Sequence, residues 1–179
     1  LTESVPLVII GAGGRGLMAV GLMGKMGLQV PVVVELDATK REVAVKTGAR
    51  AAIDPTASDA LDQIRAAVGQ PVLAVLDLVG SGRTTGMGLQ LLEKGGHLVV
   101  VGLLGGDVRI PVPTLPMKAI TIQGSYIGSL SELKALVDLV RERGLPEVPL
   151  DCRPLDQADA ALNDLRDGML ARVPARARV

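Results

Sequence analysis

An apolar run, Val5-Pro-Leu-Val-Ile-Ile10, leads without a break into Gly11-Ala-Gly-Gly-Arg-Gly16, and this junction constrains the fold more than any other part of the chain. A continuous apolar run with no polar alternation suits a strand buried on both faces. The glycines form a G-x-G-x-x-G and open a helical stretch reaching about Met26. In such a junction Gly11 allows the tight turn, Gly13 lets the backbone approach a pyrophosphate, and Gly16 brings the helix close to the sheet. The first turn of the helix, including Gly14 and Arg15, offers unpaired N–H groups and a positive dipole end to phosphates. No Lys-Ser/Thr pair follows, so the loop is not that of a nucleoside-triphosphate hydrolase.

The same strand-then-helix alternation continues along the chain. Residues 30–34, 49–53, 72–76, 97–101 and 119–123 predict further strands, with helices over 37–47, 58–68 and 84–93 between them. Ser129-Leu-Ser-Glu132 has capping-box spacing and precedes Leu133, Leu136, Val137 and Val140 at helical intervals. A further helix is predicted over 157–166, and 105–116 is the longest irregular stretch. The pattern calls for a doubly wound, six-stranded parallel sheet in three α/β layers. No internal boundary is visible, so residues 1–179 read as one domain, with the basic segment 171–179 expected to fray.

An acid is expected about 20 residues beyond the loop, at the end of the second strand, to hold a ribose. Glu35 stands there. A carboxylate at this point accepts from both ribose hydroxyls and repels a 2′-phosphate, which favours NAD over NADP. Asp37 fits better as the N-cap of the next helix. Lys40 and Arg41 are in reach of a 2′-phosphate, but read as a solvated helix face.

Composition excludes several other classes. Lys and Arg number 19 against 19 Asp and Glu, so no net field draws nucleic acid or an anionic membrane. Arg15 and Lys25 interrupt the apolar N-terminal region, which leaves no spanning segment. A cytoplasmic protein is the expectation. The chain has one Cys (Cys152) and one His (His97), too few for a disulfide or a Cys/His zinc site. Cys152 reads as a small, partly buried side chain, His97 as a surface or strand-edge residue, and Asp77 as a carboxylate bonding its own loop. With no Phe and no Trp, the core must be built from Val, Ile, Leu, Ala and Met.

Four ordered blocks carry a resemblance. They are Leu7-Val-Ile-Ile-Gly-Ala-Gly-Gly-Arg-Gly-Leu-Met18, Asp77-Leu-Val-Gly-Ser81, Lys94-Gly-Gly-His-Leu-Val-Val-Val-Gly-Leu-Leu-Gly-Gly106 and Ile120-Thr-Ile-Gln-Gly-Ser-Tyr-Ile-Gly-Ser129. In this order and spacing the chain resembles the cofactor-binding half of the zinc-containing, medium-chain alcohol dehydrogenases, from about Val5 to Gly168. The resemblance implies a Rossmann sheet that binds NAD(H), with Glu35 and Lys40 at the adenosine ribose. It implies that Val79, Gly102 and Leu103 line the crevice, and that Ser125 and Ile127 offer backbone groups to the nicotinamide carboxamide. It also implies a homodimer through the strand at 119–126. In the family the zinc sits on an N-terminal catalytic domain that this sequence does not contain, so no catalytic or metal-binding residue is expected on this chain.

The sequence departs from the family at several points. Arg15 replaces the usual Leu or Val, and either pairs with the pyrophosphate or swings into the volume of the missing domain. Leu78 and Leu104 stand where relatives commonly have Phe. The resulting expectation is an NAD(H)-binding domain that is not catalytic alone. The rival reading is a non-catalytic dimerisation module whose cofactor site is impaired by Arg15.

Overall fold

Parallel pairing of the apolar runs sets the architecture, and the computed structural model describes it for residues 5–168 and 173–175. The elements are β1 (Leu7–Ile10), α1 (Gly14–Met26), β2 (Val32–Val34), α2 (Ala38–Thr47), β3 (Ala51–Ile53) and α3 (Ala60–Val68). They continue with β4 (Ala74–Asp77), α4 (Gly82–Leu91), β5 (His97–Val100), α5 (Thr114–Lys118) and β6 (Thr121–Gly124). The remainder is α6 (Leu130–Arg143), β7 (Leu150–Cys152), α7 (Ala158–Arg166) and β8 (Val173–Ala175). Strands β1–β6 form one parallel sheet in the order β3-β2-β1-β4-β5-β6. The direction of winding reverses between β1 and β4, so a crevice opens at their carboxyl ends.

Period-two side-chain alternation divides the core between two faces. Val8, Ile10, Val32, Val34, Val75 and Leu98 pack with Ile64 and Val68 of α3 and Leu91 of α4. Leu7, Ile9, Val33 and Ala74 pack with Leu17, Val20 and Met23 of α1 and Ala44 of α2. Branched aliphatics fill both layers, so the sheet needs no aromatic residue. The register places Ile10 beside Val34 and Asp77, Asp77 beside Val100, and Val100 beside Gly124. The strand ends from β2 to β6 therefore meet along one edge.

Differences from the sequence reading have local causes. β2 begins at Val32 because Pro31 has no N–H to give the ladder. The stretch 105–116 was expected to be irregular, yet Thr114–Lys118 forms a short helix. Its last turn closes with Ala119 in the left-handed conformation, whose N–H donates to the Pro116 carbonyl. The expectation that 171–179 frays needs correction: Val173–Ala175 pairs in parallel with Leu150–Cys152, which gives its backbone a partner. Residues 171, 172 and 176–179 lie outside the described residues.

Helix α6 carries the capping box read from the sequence, with the Ser129 hydroxyl accepting from the Glu132 N–H and the Glu132 carboxylate accepting from the Ser129 N–H. The Ser129 N–H and hydroxyl hold the Glu132 carboxyl below its ordinary range. The apolar stripe behind this cap stays open; Leu133 is 56% exposed, whereas Leu98 in β5 is fully buried. Leu98→Ala is therefore expected to lower the unfolding free energy by about 3 kcal/mol, and Leu133→Ala by less than about 1 kcal/mol. Urea titrations of the two variants check this; equal losses would contradict the burial pattern.

Candidate functional site

Three glycines in the β1–α1 loop meet different demands. Gly11 has φ +102°, donates its N–H to the Val34 carbonyl at 2.8 Å, and lies where a Cβ would press on Val79. A Cβ on Gly16 would collide with the Gly11 carbonyl. Both glycines are thus required by the chain itself. Gly13 differs: it is the exposed N-cap of α1, its φ is −70°, and nothing lies within 4 Å of an added Cβ. The space over this residue is open.

The start of α1 suits an anion. Its N-cap makes no side-chain bond and its first turn holds no acid. The first ladder bond runs from the Leu17 N–H to the Gly13 carbonyl, which leaves the N–H groups of Gly14, Arg15 and Gly16 ahead of the ladder. Arg15 is exposed and makes no ion pair among the described residues.

Glu35, just past β2, is tied to this loop. One carboxylate oxygen accepts from the Ala12 N–H at 2.8 Å and the other from the Asp37 N–H at 3.1 Å. Asp37 caps α2 by accepting from the Lys40 N–H at 2.9 Å, as the sequence suggested. Lys40 is partly exposed on the first turn of α2. Arg41 is not a solvated face residue. Its guanidinium donates to the carbonyls of Glu35 at 2.8 Å and Leu36 at 2.6 Å, and lies 3.3 Å from Asp54. Those carbonyls sit in the β2–α2 turn, where no ladder serves them. Bonds from the Thr56 hydroxyl and N–H, aided by the charges of Arg41 and Arg83, hold the Asp54 carboxyl below its ordinary range.

A cleft beside Glu35 is lined by Gly11, Leu36, Pro55, Val79, Arg83 and Met87. The sequence reading did not identify Leu36, Pro55, Arg83 or Met87. For Arg83 a signal existed: Ser81 and Thr84 form a capping box that fixes the first turn of α4, where Arg83 sits.

Asp77 builds the other wall. Fully buried, it accepts from the Val79 and Gly80 N–H groups at 3.0 and 2.9 Å and from the Thr84 and Thr85 hydroxyls at 3.0 and 2.9 Å. This is the loop-bonding role read from the sequence. Gly80 has φ +68°, and a Cβ on it would strike the Gly102 backbone. Beyond this contact the Leu104 N–H donates to Val79 and the Gly105 N–H to Gly80, at 3.1 and 2.9 Å. Leu103 is thereby held 74% exposed at the crevice. The Ser125 N–H donates to the Val100 carbonyl at 2.9 Å, and Ile127 follows with 82% exposure.

Val79, Gly102, Leu103, Ser125 and Ile127 thus gather at the carboxyl ends of β4–β6, while the glycine loop and Glu35 occupy those of β1 and β2. His97 opens β5 and so stands at the opposite edge; Cys152, expected to be partly buried, is instead exposed on the short strand β7. Among the described residues no group of three or more His, Cys, Asp or Glu is placed to hold a metal. No helix among them is long and apolar enough to cross a membrane.

Comparison with known proteins agrees with this geometry. The zinc-binding dehydrogenase family matches residues 14–142. The chain belongs to that family. The NAD-dependent alcohol dehydrogenase of Sulfurisphaera tokodaii is 28% identical over 169 residues, covering 93% of this chain and 49% of that protein. The L-threonine 3-dehydrogenase of Caldanaerobacter subterraneus subsp. tengcongensis is 29% identical, covering 91% of this chain and 47% of that protein. The alcohol dehydrogenase structure from Aeropyrum pernix superposes with a TM-score of 0.87 at 27% identity, covering 99% of this chain and 51% of that one. The chain therefore spans about half the length of these relatives.

The glycine geometry separates folding from binding. Gly16→Ala is expected to destabilise the chain by about 3 kcal/mol through backbone overlap, and Gly13→Ala to leave unfolding within about 0.5 kcal/mol of the parent. Thermal and urea unfolding check both; a large loss for Gly13→Ala would show that the chain needs this glycine for its own packing.

Proposed function

We propose that this chain is the NAD(H)-binding half of a zinc-type alcohol dehydrogenase and is not catalytic alone. One observation carries the reading: Gly13 has open space that nothing in the chain requires, beside free helix N–H groups and a carboxylate, Glu35, already bonded to the same loop. The N–H groups of Gly13, Gly14, Arg15 and Gly16 hold the pyrophosphate. Glu35 and Lys40 hold the adenosine ribose, and the adenine enters the cleft of Leu36, Pro55 and Arg83. Val79, Gly102, Leu103, Ser125 and Ile127 hold the second nucleoside. Bound NAD+ supplies an acceptor for a hydride leaving the alcohol carbon.

Within this reading Glu35 selects against a 2′-phosphate by charge. Arg41, spent on two carbonyls and Asp54, does not compensate it. The names of the relatives support the cofactor, and the match of this half to both an alcohol dehydrogenase and an L-threonine 3-dehydrogenase at similar identity supports a substrate set outside it. Residues that hold a zinc would come from the other half of such an enzyme. The reading includes a homodimer in the cytoplasm, paired through the strand at 119–126.

The exposed Ile122 of β6 (38%) and Tyr126 just beyond the strand (74%) favour the rival reading as an assembly module. Titration of the chain with NADH distinguishes the two. NADH is expected to bind, and Glu35→Ala to weaken it about 30-fold, for the loss of charge-assisted hydrogen bonds, while narrowing the preference over NADPH. Absence of NADH binding up to millimolar concentration would leave only the assembly reading. Light scattering is expected to give twice 18.5 kDa; a monomer at all micromolar concentrations would remove the dimer from both.

A further inference from the structure

Most arginines of this chain have an acceptor within it. Arg65 donates to the Gln90 carbonyl at 3.0 Å, Arg143 to the Lys25 carbonyl at 2.9 Å, and Arg153 lies between Asp151 and Asp164. Arg41 is taken up by two carbonyls and Asp54. Arg15 differs. It is exposed on the first turn of α1 and makes no ion pair among the described residues, and that turn holds no acid. Its guanidinium stays charged at any physiological pH, and the positive end of the helix dipole repels it.

The carboxylates of the carboxyl edge are already served by other donors. Glu35 accepts from the Ala12 and Asp37 N–H groups, Asp77 from its own loop and α4, and Glu132 from the Ser129 N–H and hydroxyl. Arg83 acts on Asp54, so its charge belongs to the adenosine side of the crevice. A cation set against a helix dipole without a partner is a local conflict, and such conflicts gather at functional sites. A doubly charged pyrophosphate on the glycine loop resolves it, since a guanidinium grips phosphate oxygens in pairs.

The two forms of the cofactor differ by one charge. The pyrophosphate is common to both, whereas the nicotinamide ring is cationic in NAD+ and neutral in NADH. A single ribose joins that ring to the nearer phosphate, so a cation on the pyrophosphate stands about one screening length, roughly 8 Å, from the ring. We infer that Arg15 makes this site prefer NADH to NAD+, because its guanidinium attracts the pyrophosphate of both forms and repels the ring of the oxidised form alone. This rests on the proposed binding of NAD(H) and adds a redox preference to it. At that separation, between the dielectric of water and that of a protein surface, one charge acting on another changes affinity about fivefold. The site then holds the form that gives a hydride more firmly than the form that takes one.

Calorimetry with NADH, NAD+ and ADP-ribose on the parent chain, Arg15→Leu and Arg15→Lys tests this. ADP-ribose carries the pyrophosphate and no ring. Arg15→Leu is expected to weaken NADH and ADP-ribose alike, by about tenfold, and NAD+ by only about twofold. The ratio of NADH to NAD+ affinity therefore falls about fivefold, while Arg15→Lys keeps it within about twofold of the parent. Added salt is expected to narrow the ratio in the parent and leave it unchanged in Arg15→Leu. An unchanged ratio in Arg15→Leu would overturn the inference and leave the cofactor reading standing. A ratio lost equally in Arg15→Lys would also overturn it, since charge would not be the cause. So would an NADH loss without an ADP-ribose loss, which would place the side chain on the ring instead of the pyrophosphate. Arg15→Leu is expected to melt at or above the parent temperature, because it removes a cation from a helix N-terminus. A clear loss of stability would give Arg15 a role in the fold and overturn the inference. A parent chain that binds none of the three ligands would overturn the cofactor reading itself.

Discussion

The Asp77 carboxylate is the bond on which the crevice depends. Buried at the last position of β4, it would be costly to leave without donors, and it has four. Two come from the loop that follows and two from α4, while its own carbonyl receives the Val101 and Gly102 N–H groups at 2.8 and 3.1 Å. One residue thereby joins β4, β5 and the first turn of α4. The approach of Gly80 to Gly102 follows, since the Gly80 N–H is drawn to the carboxylate of Asp77 and the Gly102 N–H to its main-chain carbonyl. With those walls fixed, Leu103 and the cleft beside Arg83 have defined places.

A second set of bonds acts on the other side of the sheet reversal. Glu35 joins the glycine loop to the β2–α2 turn, and Arg41 gathers the carbonyls of that turn. The two halves of the edge are built alike. In each, a carboxylate at a strand end accepts N–H groups from loops that ordinary pairing leaves unserved. The difference is solvent: Asp77 is sealed and structural, whereas Glu35 is partly open and able to exchange a loop bond for a ligand.

Most of the sheet was legible in the sequence because its signals are local. Uncharged β-branched runs at 5–10, 30–34, 72–76 and 97–101 have no alternative burial, and Gly11 and Gly16 meet steric limits a few residues away. Asp37, Ser129 and Glu132 were readable as caps for the same reason. What escaped depends on distant partners. The fate of Arg41 rests on Asp54, the cleft at Glu35 on Pro55 and Met87, and the pairing of 173–175 on a strand more than 20 residues earlier. The left-handed backbone of Ile127, at φ 60°, could not be read at all, since it belongs to the folded path between β6 and α6.

The scarcity of aromatic residues, a packing matter for the core, also has an optical side. With no tryptophan or phenylalanine, the only aromatic side chain belongs to Tyr126, 74% exposed and adjacent to Ile127. Every tyrosine photon the protein emits originates at the carboxyl edge of β6. The chain thus carries a single built-in reporter at the wall proposed for the second nucleoside, on a background with no other intrinsic emitter.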